Sequence, residues 1–351
     1  MEIPLKIKML RVLSKGNFGE VYLCENTYLA GRNEAVKVIK RKGEEIKINE
    51  DLFEPSVLEY LKKSKYIVEI YNADITNDAL TINMEYLKDG SVQQLLDKNN
   101  FLSSKTILKI SECVLNALEY AHNKGIFHLD IKPGNILIKN ENIYKLSDFG
   151  LANTKDQDGN SSFKKIYTIH TPPEKIANPS SKATEQSDIY MFGVTLYRLL
   201  NGDAHLKKQI ESLKSRKELN DLIVSGKFPD LKKQLPHVDK RLKKIAERCL
   251  SIDLSKRYKN IREIKNNLGK IKIKYSWIAK NISDKLHCWD CFLNENLYLE
   301  LIAEKKSSNL WTVTLMKYGK KKKMKVKKYC NKNIKSENVS KKISEIFSEY
   351  I

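Results

Sequence analysis

Arginine is scarce in this chain. Nine arginines stand beside 55 lysines, and the formal net charge at pH 7 is +21. Such a charge invites an anionic partner, but the lysine excess comes with abundant Asn and Ile, the profile of an AT-rich coding sequence. Long apolar runs are also missing: none approaches the roughly 20 residues of a bilayer-spanning helix, and none follows the start. A cytoplasmic protein with no membrane span is expected. The six cysteines are spread out, which fits reduced thiols rather than a disulfide framework. What remains is 41% apolar and 30% charged residues in 351, an ordinary globular composition with room for two or three domains.

One stretch organises the rest. His128-Leu129-Asp130-Ile131-Lys132-Pro133-Gly134-Asn135-Ile136-Leu137 sets an acid, a cation and an amide between apolar residues. A second acid follows in Leu146-Ser147-Asp148-Phe149-Gly150. Two acids, an Asn and a Lys are the parts needed to hold Mg²⁺ and transfer a phosphoryl group.

Upstream, Ile7 to Lys15 and Val21 to Asn26 alternate like two strands around Gly16 and Gly19, where missing Cβ atoms let backbone amides approach phosphate. Glu34-Ala35-Val36-Lys37-Val38-Ile39 reads as a strand with a lone Lys, which needs a partner if buried. Phe53 to Leu61 reads as a helix with Val57, Leu58 and Leu61 inward and Glu54 on the same side, Pro55 falling in its tolerated first turn. Tyr66 to Ala73 and Ala79 to Tyr86 read as strands, and Ser104 to His122 as a long amphipathic helix.

From about Leu5 to about Leu268 these motifs resemble the eukaryotic-type (Hanks-type) protein kinase superfamily, on its serine/threonine side because Lys132 follows Asp130 by two. The resemblance implies an α+β, bilobal protein-kinase-like fold over residues 5–270. A small, mostly-β lobe covers 5–86 and a mostly-α lobe 87–270. It implies ATP and Mg²⁺, a protein substrate, and these roles. Asp130 orients the incoming hydroxyl and Lys132 neutralises the γ-phosphate. Asn135 and Asp148 hold the metal. Lys37 contacts the α- and β-phosphates and pairs with Glu54, with Glu45, Glu50 and Glu59 as alternatives. Leu13, Ser14, Gly16, Gly19, Val21, Ala35, Met84, Leu137 and the backbone of Glu85 and Leu87 enclose the nucleotide. His128 is read as a core residue packing near Phe149, in an apolar column with Leu58 and Ile70. Asp188 braces the catalytic loop, and Arg257 pairs with Glu174 of Thr171-Pro172-Pro173-Glu174.

Three positions depart from the family. Ser14 stands where the first loop glycine is expected. Leu129 replaces the Arg that grips an activation-loop phosphate, so activity independent of phosphorylation at Ser161, Ser162, Tyr167, Thr168 or Thr171 is expected. Ile166-Tyr167-Thr168-Ile169-His170 replaces the usual peptide-facing sequence and leaves the substrate open.

Residues 275–351 fall outside the resemblance. The pattern predicts a small α-β-β-β-α unit: a helix over Tyr275 to Leu286, strands over Leu297 to Glu304, Leu310 to Lys317 and Lys322 to Tyr329, and a last helix with Val339, Ile343, Ile346, Phe347 and Tyr350 on one face. From residue 271 onward 18 Lys and no Arg face 8 acids. The lysine run at 320–328 reads as an edge strand blunted against aggregation or as a nucleic-acid-binding face. Cys288-Trp289-Asp290-Cys291 is a lone C-x-x-C with His287 and Cys330 as the only nearby additions for zinc. The reading is a kinase that phosphorylates Ser/Thr and itself. Its alternatives are a nucleotide-binding pseudokinase scaffold and a kinase regulated by nucleic acid through the basic carboxyl-terminal domain.

Overall fold

A computed structural model describes residues 7–16, 19–40, 53–75, 79–98, 101–151, 153–154, 169–294, 297–319 and 322–350. The chain divides into two compact units. One comprises Met1–Val92, Cys113–His170 and Ser180–Met191, the other Gln93–Glu112, Thr171–Pro179 and Phe192–Ile351.

The first unit opens with an antiparallel five-stranded sheet. Its strands are β1 (Ile7–Gly16), β2 (Gly19–Asn26), β3 (Arg32–Lys40), β4 (Ile70–Ile75) and β5 (Ala79–Glu85), in the order β1-β2-β3-β5-β4. The alternation read from the sequence sorts side chains to two faces. Val21, Ala35, Ile82 and Met84 share one, and Tyr22, Val36, Val38 and Asn83 the other. Helix α1 (Phe53–Leu61) buries Val57, Leu58 and Leu61. Pro55 lies in its first turn, where an N–H has no intrahelical acceptor to lose. The expected strand at Tyr66 starts later, at Ile70; before it Ile67 makes only an isolated bridge to Leu146.

Two short two-stranded sheets carry the chemistry-bearing loops. β6 (Ile126–Phe127) pairs with β9 (Asn153–Thr154), and β7 (Ile136–Asn140) with β8 (Ile143–Leu146). The helical part comprises α2 (Val92–Asp97), α3 (Ser104–Asn123), α4 (Pro173–Ala177), α5 (Glu185–Asn201), α6 (Asp203–Glu211), α7 (Arg216–Val224), α8 (Lys240–Cys249) and α9 (Ile261–Gly269). Within the second unit Arg257, fully buried, makes the anticipated fork to Glu174, Nη1 to Oε1 at 2.9 Å and Nη2 to Oε2 at 3.0 Å. Among the described residues no helix is long and apolar enough to cross a membrane.

The carboxyl-terminal region corrects the expected α-β-β-β-α order. It is an antiparallel sheet of β10 (Trp277–Ile282), β11 (Leu286–Asn294), β12 (Leu297–Lys305), β13 (Leu310–Tyr318), β14 (Lys323–Lys325) and β15 (Asn331–Lys335), followed by α10 (Ser336–Glu349). Tyr275 to Leu286 is not a helix: Trp277 and Ala279 are buried while Ile278 and Lys280 turn outward, a period of two. The strand expected over Lys322 to Tyr329 shrinks to three residues ahead of a 3₁₀ turn at Lys327–Tyr329, because a run of exposed lysines offers nothing to bury. Lys320 and Lys321 lie outside the described residues. Trp289, Leu301, Val313, Leu315, Ile343 and Phe347 form the core between sheet and helix. Cys288 and Cys291 cannot share one ion: three apart on β11, they fall on opposite faces, Cys291 inside that core and Cys288 outside it.

Candidate active site

A buried lysine in a strand must find negative charge or lose its own. Lys37, on β3, finds two carboxylates. Its Nζ lies 2.9 and 2.7 Å from Oε1 and Oε2 of Glu54 on α1, and 2.7 Å from Oδ1 of Asp148. Burial alone would lower the lysine pKa, but Glu54 and Asp148 outweigh it and hold the ammonium above its usual value. Burial raises the Glu54 carboxyl, with Lys37 opposing. Burial also acts to raise Asp148, but Lys37 reverses the sign and keeps the group below its ordinary range. Glu59 is an exposed residue of α1, and Glu45 and Glu50 lie outside the described residues. Gly150 closes the cluster: a Cβ there would sit 3.1 Å from Glu54 Oε2 and 3.3 Å from Asp148 Oδ1.

The loop after β6 is held in an unusual backbone. Leu129 has φ +63°, a left-handed conformation that costs a non-glycine residue about 1–2 kcal/mol. Asp188, wholly buried, holds it there. Its Oδ1 accepts the Leu129 N–H at 2.8 Å, and its Oδ2 accepts the His128 N–H at 2.9 Å and faces His122 Nε2 at 2.7 Å. Burial works to lower the His122 pKa, but Asp188 and Glu185 raise it above the ordinary value.

His128 plays a structural part. Its Nδ1 accepts the Asp130 N–H at 3.1 Å, so its Nε2 carries the proton and donates to the Ser147 carbonyl at 3.1 Å. Complete burial lowers its pKa and keeps it neutral. Its ring packs on Phe149 as expected, centroids 4.5 Å apart; Leu58 is buried, and Ile70 packs against the Ala35 cluster. Ser147 N–H donates to the Asn135 carbonyl at 2.9 Å. The two acid-bearing stretches are thus tied backbone to backbone.

That frame presents four polar side chains. Asp130 Oδ2 accepts from Lys132 Nζ at 2.6 Å and from Asn135 Nδ2 at 2.9 Å. Asn135 Nδ2 also reaches the Asp130 carbonyl at 2.9 Å, so Oδ1 is the atom left for a metal. Asp148 likewise commits Oδ1 to Lys37. Its φ of +63° is a conformation that Asp tolerates better than most residues. Two hard oxygens of this kind suit Mg²⁺, which takes few protein ligands.

Several of the residues expected around a nucleotide share one apolar cluster. Ala35 and Met84 belong to one apolar cluster, against which Leu13, Val21, Leu87 and Leu137 pack. Glu85 donates its N–H to the Glu69 carbonyl at 2.9 Å. Ser14 is exposed and pairs with Val21, while Gly16 pairs with Gly19 at the end of the hairpin; Asn17 and Phe18 between them lie outside the described residues. Gly19 has φ +122°, and a Cβ on it would lie 2.5 Å from the Val38 carbonyl oxygen. Glycine is therefore a packing requirement there. Ser161, Ser162, Tyr167 and Thr168 lie outside the described residues; Thr171 is buried.

One feature of the site went unread in the sequence. The Glu85 carboxylate is buried and takes a hydrogen bond from Lys145, also buried, while accepting the Glu69 N–H at 2.9 Å. The signal was available: Lys145 stands between apolar residues in Ile143-Tyr144-Lys145-Leu146, as Lys37 does in β3.

Comparison with known proteins agrees with this geometry. The protein kinase domain family matches residues 7–268. A probable serine/threonine-protein kinase of Clostridium acetobutylicum is 28% identical over 281 residues, 77% of this chain and 40% of the relative. The serine/threonine-protein kinase PrkC of Bacillus subtilis is 27% identical over 295 residues, 80% of this chain and 42% of its own length. A probable serine/threonine-protein kinase of Dictyostelium discoideum is 30% identical over 267 residues, 68% of this chain and 57% of its own length. The chain therefore belongs to the Hanks-type serine/threonine protein kinase superfamily. It spans roughly two fifths to three fifths of the length of these relatives.

Proposed function

We propose that this chain transfers the γ-phosphate of ATP to serine and threonine hydroxyls of protein substrates, itself included. The kinase domain is 5–270, and residues 275–351 form a small basic domain of their own. The observation that carries the reading is the single ammonium of Lys37 bridging Glu54 and Asp148, with Asp130, Lys132 and Asn135 on a loop tied to the same segment. Phosphoryl transfer asks a protein for position and charge neutralisation, and this arrangement offers both.

Glu54 holds Lys37 extended toward the α- and β-phosphates. Asp130 accepts the proton of the attacking hydroxyl and aims it, its Oδ2 already fixed by Asn135. Lys132 meets the γ-phosphate. Asn135 and Asp148 would hold Mg²⁺, which would supply positive charge against the phosphates. Val21, Ala35, Met84 and Leu137 take the adenine ring between them, Leu13 and Leu87 close its margins, and backbone of Glu85 and Leu87 meets its edge. Backbone from Ser14 to Gly19 covers the phosphates.

The experiment is transfer of label from γ-labelled ATP with Mg²⁺ to the chain and to a generic basic protein, with Asp130→Ala in parallel. Transfer that vanishes in the variant supports the reading. ATP binding without transfer by the natural chain overturns it in favour of a scaffold.

A further inference from the structure

The outer face of the amino-terminal sheet, away from the nucleotide pocket, holds a cavity of about 510 Å³. Every strand of that sheet contributes to its wall. Alternation explains the separation: Val36 and Val38 flank Lys37, and Thr81 and Asn83 flank Ile82, so the cavity takes the residues that the nucleotide side leaves out. The volume lies within the range of small-molecule sites, about 300–1,000 Å³.

Its lining is chiefly apolar, from Met9, Tyr22, Cys24, Val36 and Val38. Exposed apolar side chains continue along β1 outside it: Leu10 is 44% and Val12 43% accessible. Of the polar groups in the wall, the Tyr22 hydroxyl donates to Glu20 and the Thr81 hydroxyl to the Asp74 carbonyl at 3.3 Å, so neither has a proton left to give. Asp74 is a carboxylate; its Oδ2 accepts one neutral hydrogen bond, from Asn72 Nδ2 at 2.8 Å, and no cation pairs with it among the described residues. Asn83 is 2% exposed and gives its Nδ2 to Glu34 Oε2 at 3.1 Å, while its Oδ1, buried, has no donor among the described residues. A buried acceptor without a donor is costly. An apolar trough bounded by a carboxylate that no described cation neutralises selects a ligand with an apolar body and a donating, positively charged head.

We infer that this outer-face cavity is a second small-molecule site, distinct from the nucleotide pocket, that takes an apolar amine. The ammonium sits against Asp74, and the hydrocarbon body lies along β2 and β3 over Cys24, Val36 and Val38. A carboxylate or phosphate ligand is disfavoured, because it would meet the Asp74 carboxylate while the hydroxyl protons of Tyr22 and Thr81 are already given to Glu20 and to the Asp74 carbonyl.

The test uses the full chain and two probes of one shape, 4-phenylbutylamine and 4-phenylbutanol, with binding read by titration calorimetry. The amine should bind about tenfold more tightly than the alcohol, the contribution of a hydrogen bond to a charged group. Asp74→Asn, which keeps the side-chain volume, should reduce that preference to about threefold or less, the residue of a neutral hydrogen bond at about 0.5 kcal/mol. Val38→Trp, which fills the cavity, should abolish binding of both probes. Equal affinity for amine and alcohol, an unchanged preference in Asp74→Asn, or undiminished binding in Val38→Trp would each overturn the inference. So would absence of amine binding up to about 10 mM, weaker than a formed pocket should give a ligand of this size.

Discussion

The carboxylate of Asp188 holds the backbone of Leu129 in the left-handed region, accepting its N–H at 2.8 Å while also accepting the neighbouring His128 N–H at 2.9 Å. A buried charge thereby fixes the loop on which Asp130 stands. In Asp188→Asn one of these acceptors becomes a donor facing a donor. The variant should lose about 2–4 kcal/mol in urea unfolding, the cost of breaking charge-assisted bonds in the interior, and its phosphoryl transfer should fall with it. Unchanged stability would mean that the loop keeps its shape without Asp188.

Lys37 and Glu54 should separate chemistry from folding. Lys37→Met leaves the Glu54 carboxyl buried without its cation, and that carboxyl can take up a proton, since burial already raises its pKa. The chain should stay folded and lose about 10²–10³-fold or more in kcat/KM for ATP-dependent transfer, the usual effect of removing one electrostatic contact to a reacting group. Glu54→Gln keeps the shape and should cost less, about tenfold, because Asp148 still attracts Lys37 at 2.7 Å. Equal losses in both would place Glu54 at the chemistry itself.

How much of this was legible in sequence depends on where the information lay. Asp130, Lys132, Asn135 and Asp148 could be found because their chemistry is concentrated in two short stretches. Glu54 could be found because Lys37 on an apolar strand demanded a partner, and helical spacing put Glu54 on the inward side. Lys145 obeys the same rule but is easily passed over, since its partner Glu85 reads first as a backbone contact to the nucleotide. The carboxyl-terminal region failed at its start. A short apolar run such as Trp277 to Ile282 suits helix or strand equally, and only β11 beside it decides the matter. β11 itself was hidden under a C-x-x-C pattern whose cysteines point to opposite faces.

Stability should fall on acidification, and His237 is one cause. The ring is buried among Phe101, Trp289 and Phe347, with no partner for Nδ1 among the described residues. Burial pushes its pKa from 6.5 down to about 4. Between those values the unfolded chain binds a proton that the folded chain does not, so stability declines as pH falls below about 6.5. The loss approaches about 3 kcal/mol near pH 4, from the size of the shift. Urea midpoints from pH 7 to 4.5 should therefore show a steeper decline in the natural chain than in His237→Phe. His122, whose pKa is raised, works in the opposite sense: its contribution is complete below pH 6.5 and is lost as pH rises through the elevated value. Parallel pH profiles for the natural chain and His237→Phe would show that His237 does not contribute.

Gly19 should tolerate no side chain. Its φ of +122° leaves no conformational room, and the Val38 carbonyl oxygen, 2.5 Å from where a methyl group would stand, leaves no space. That neighbour is backbone, which cannot swing aside. Gly19→Ala should weaken ATP binding and lower stability by about 1–3 kcal/mol, the range for strain of this kind. Gly31→Ala serves as the comparison, because the atom it meets is the end of the Glu25 side chain. A Gly19→Ala variant with natural ATP affinity would show that the hairpin can shift without disturbing the phosphate cover.

Leu129 bears on how the enzyme is switched on. The side chain is fully buried and apolar, so it makes no contact with a phosphate. Alanine at Ser161, Ser162, Tyr167, Thr168 or Thr171 should each leave transfer within about twofold of the natural chain, provided folding is intact, since no cation at position 129 waits to grip a phosphorylated segment. Mass spectrometry of the active chain supplies the control. A site found phosphorylated, whose alanine variant is folded but inactive, would show that another cation replaces the missing arginine. Introducing Leu129→Arg would not restore that switch, because the position faces the interior and an unpaired guanidinium there would destabilise the loop by several kcal/mol.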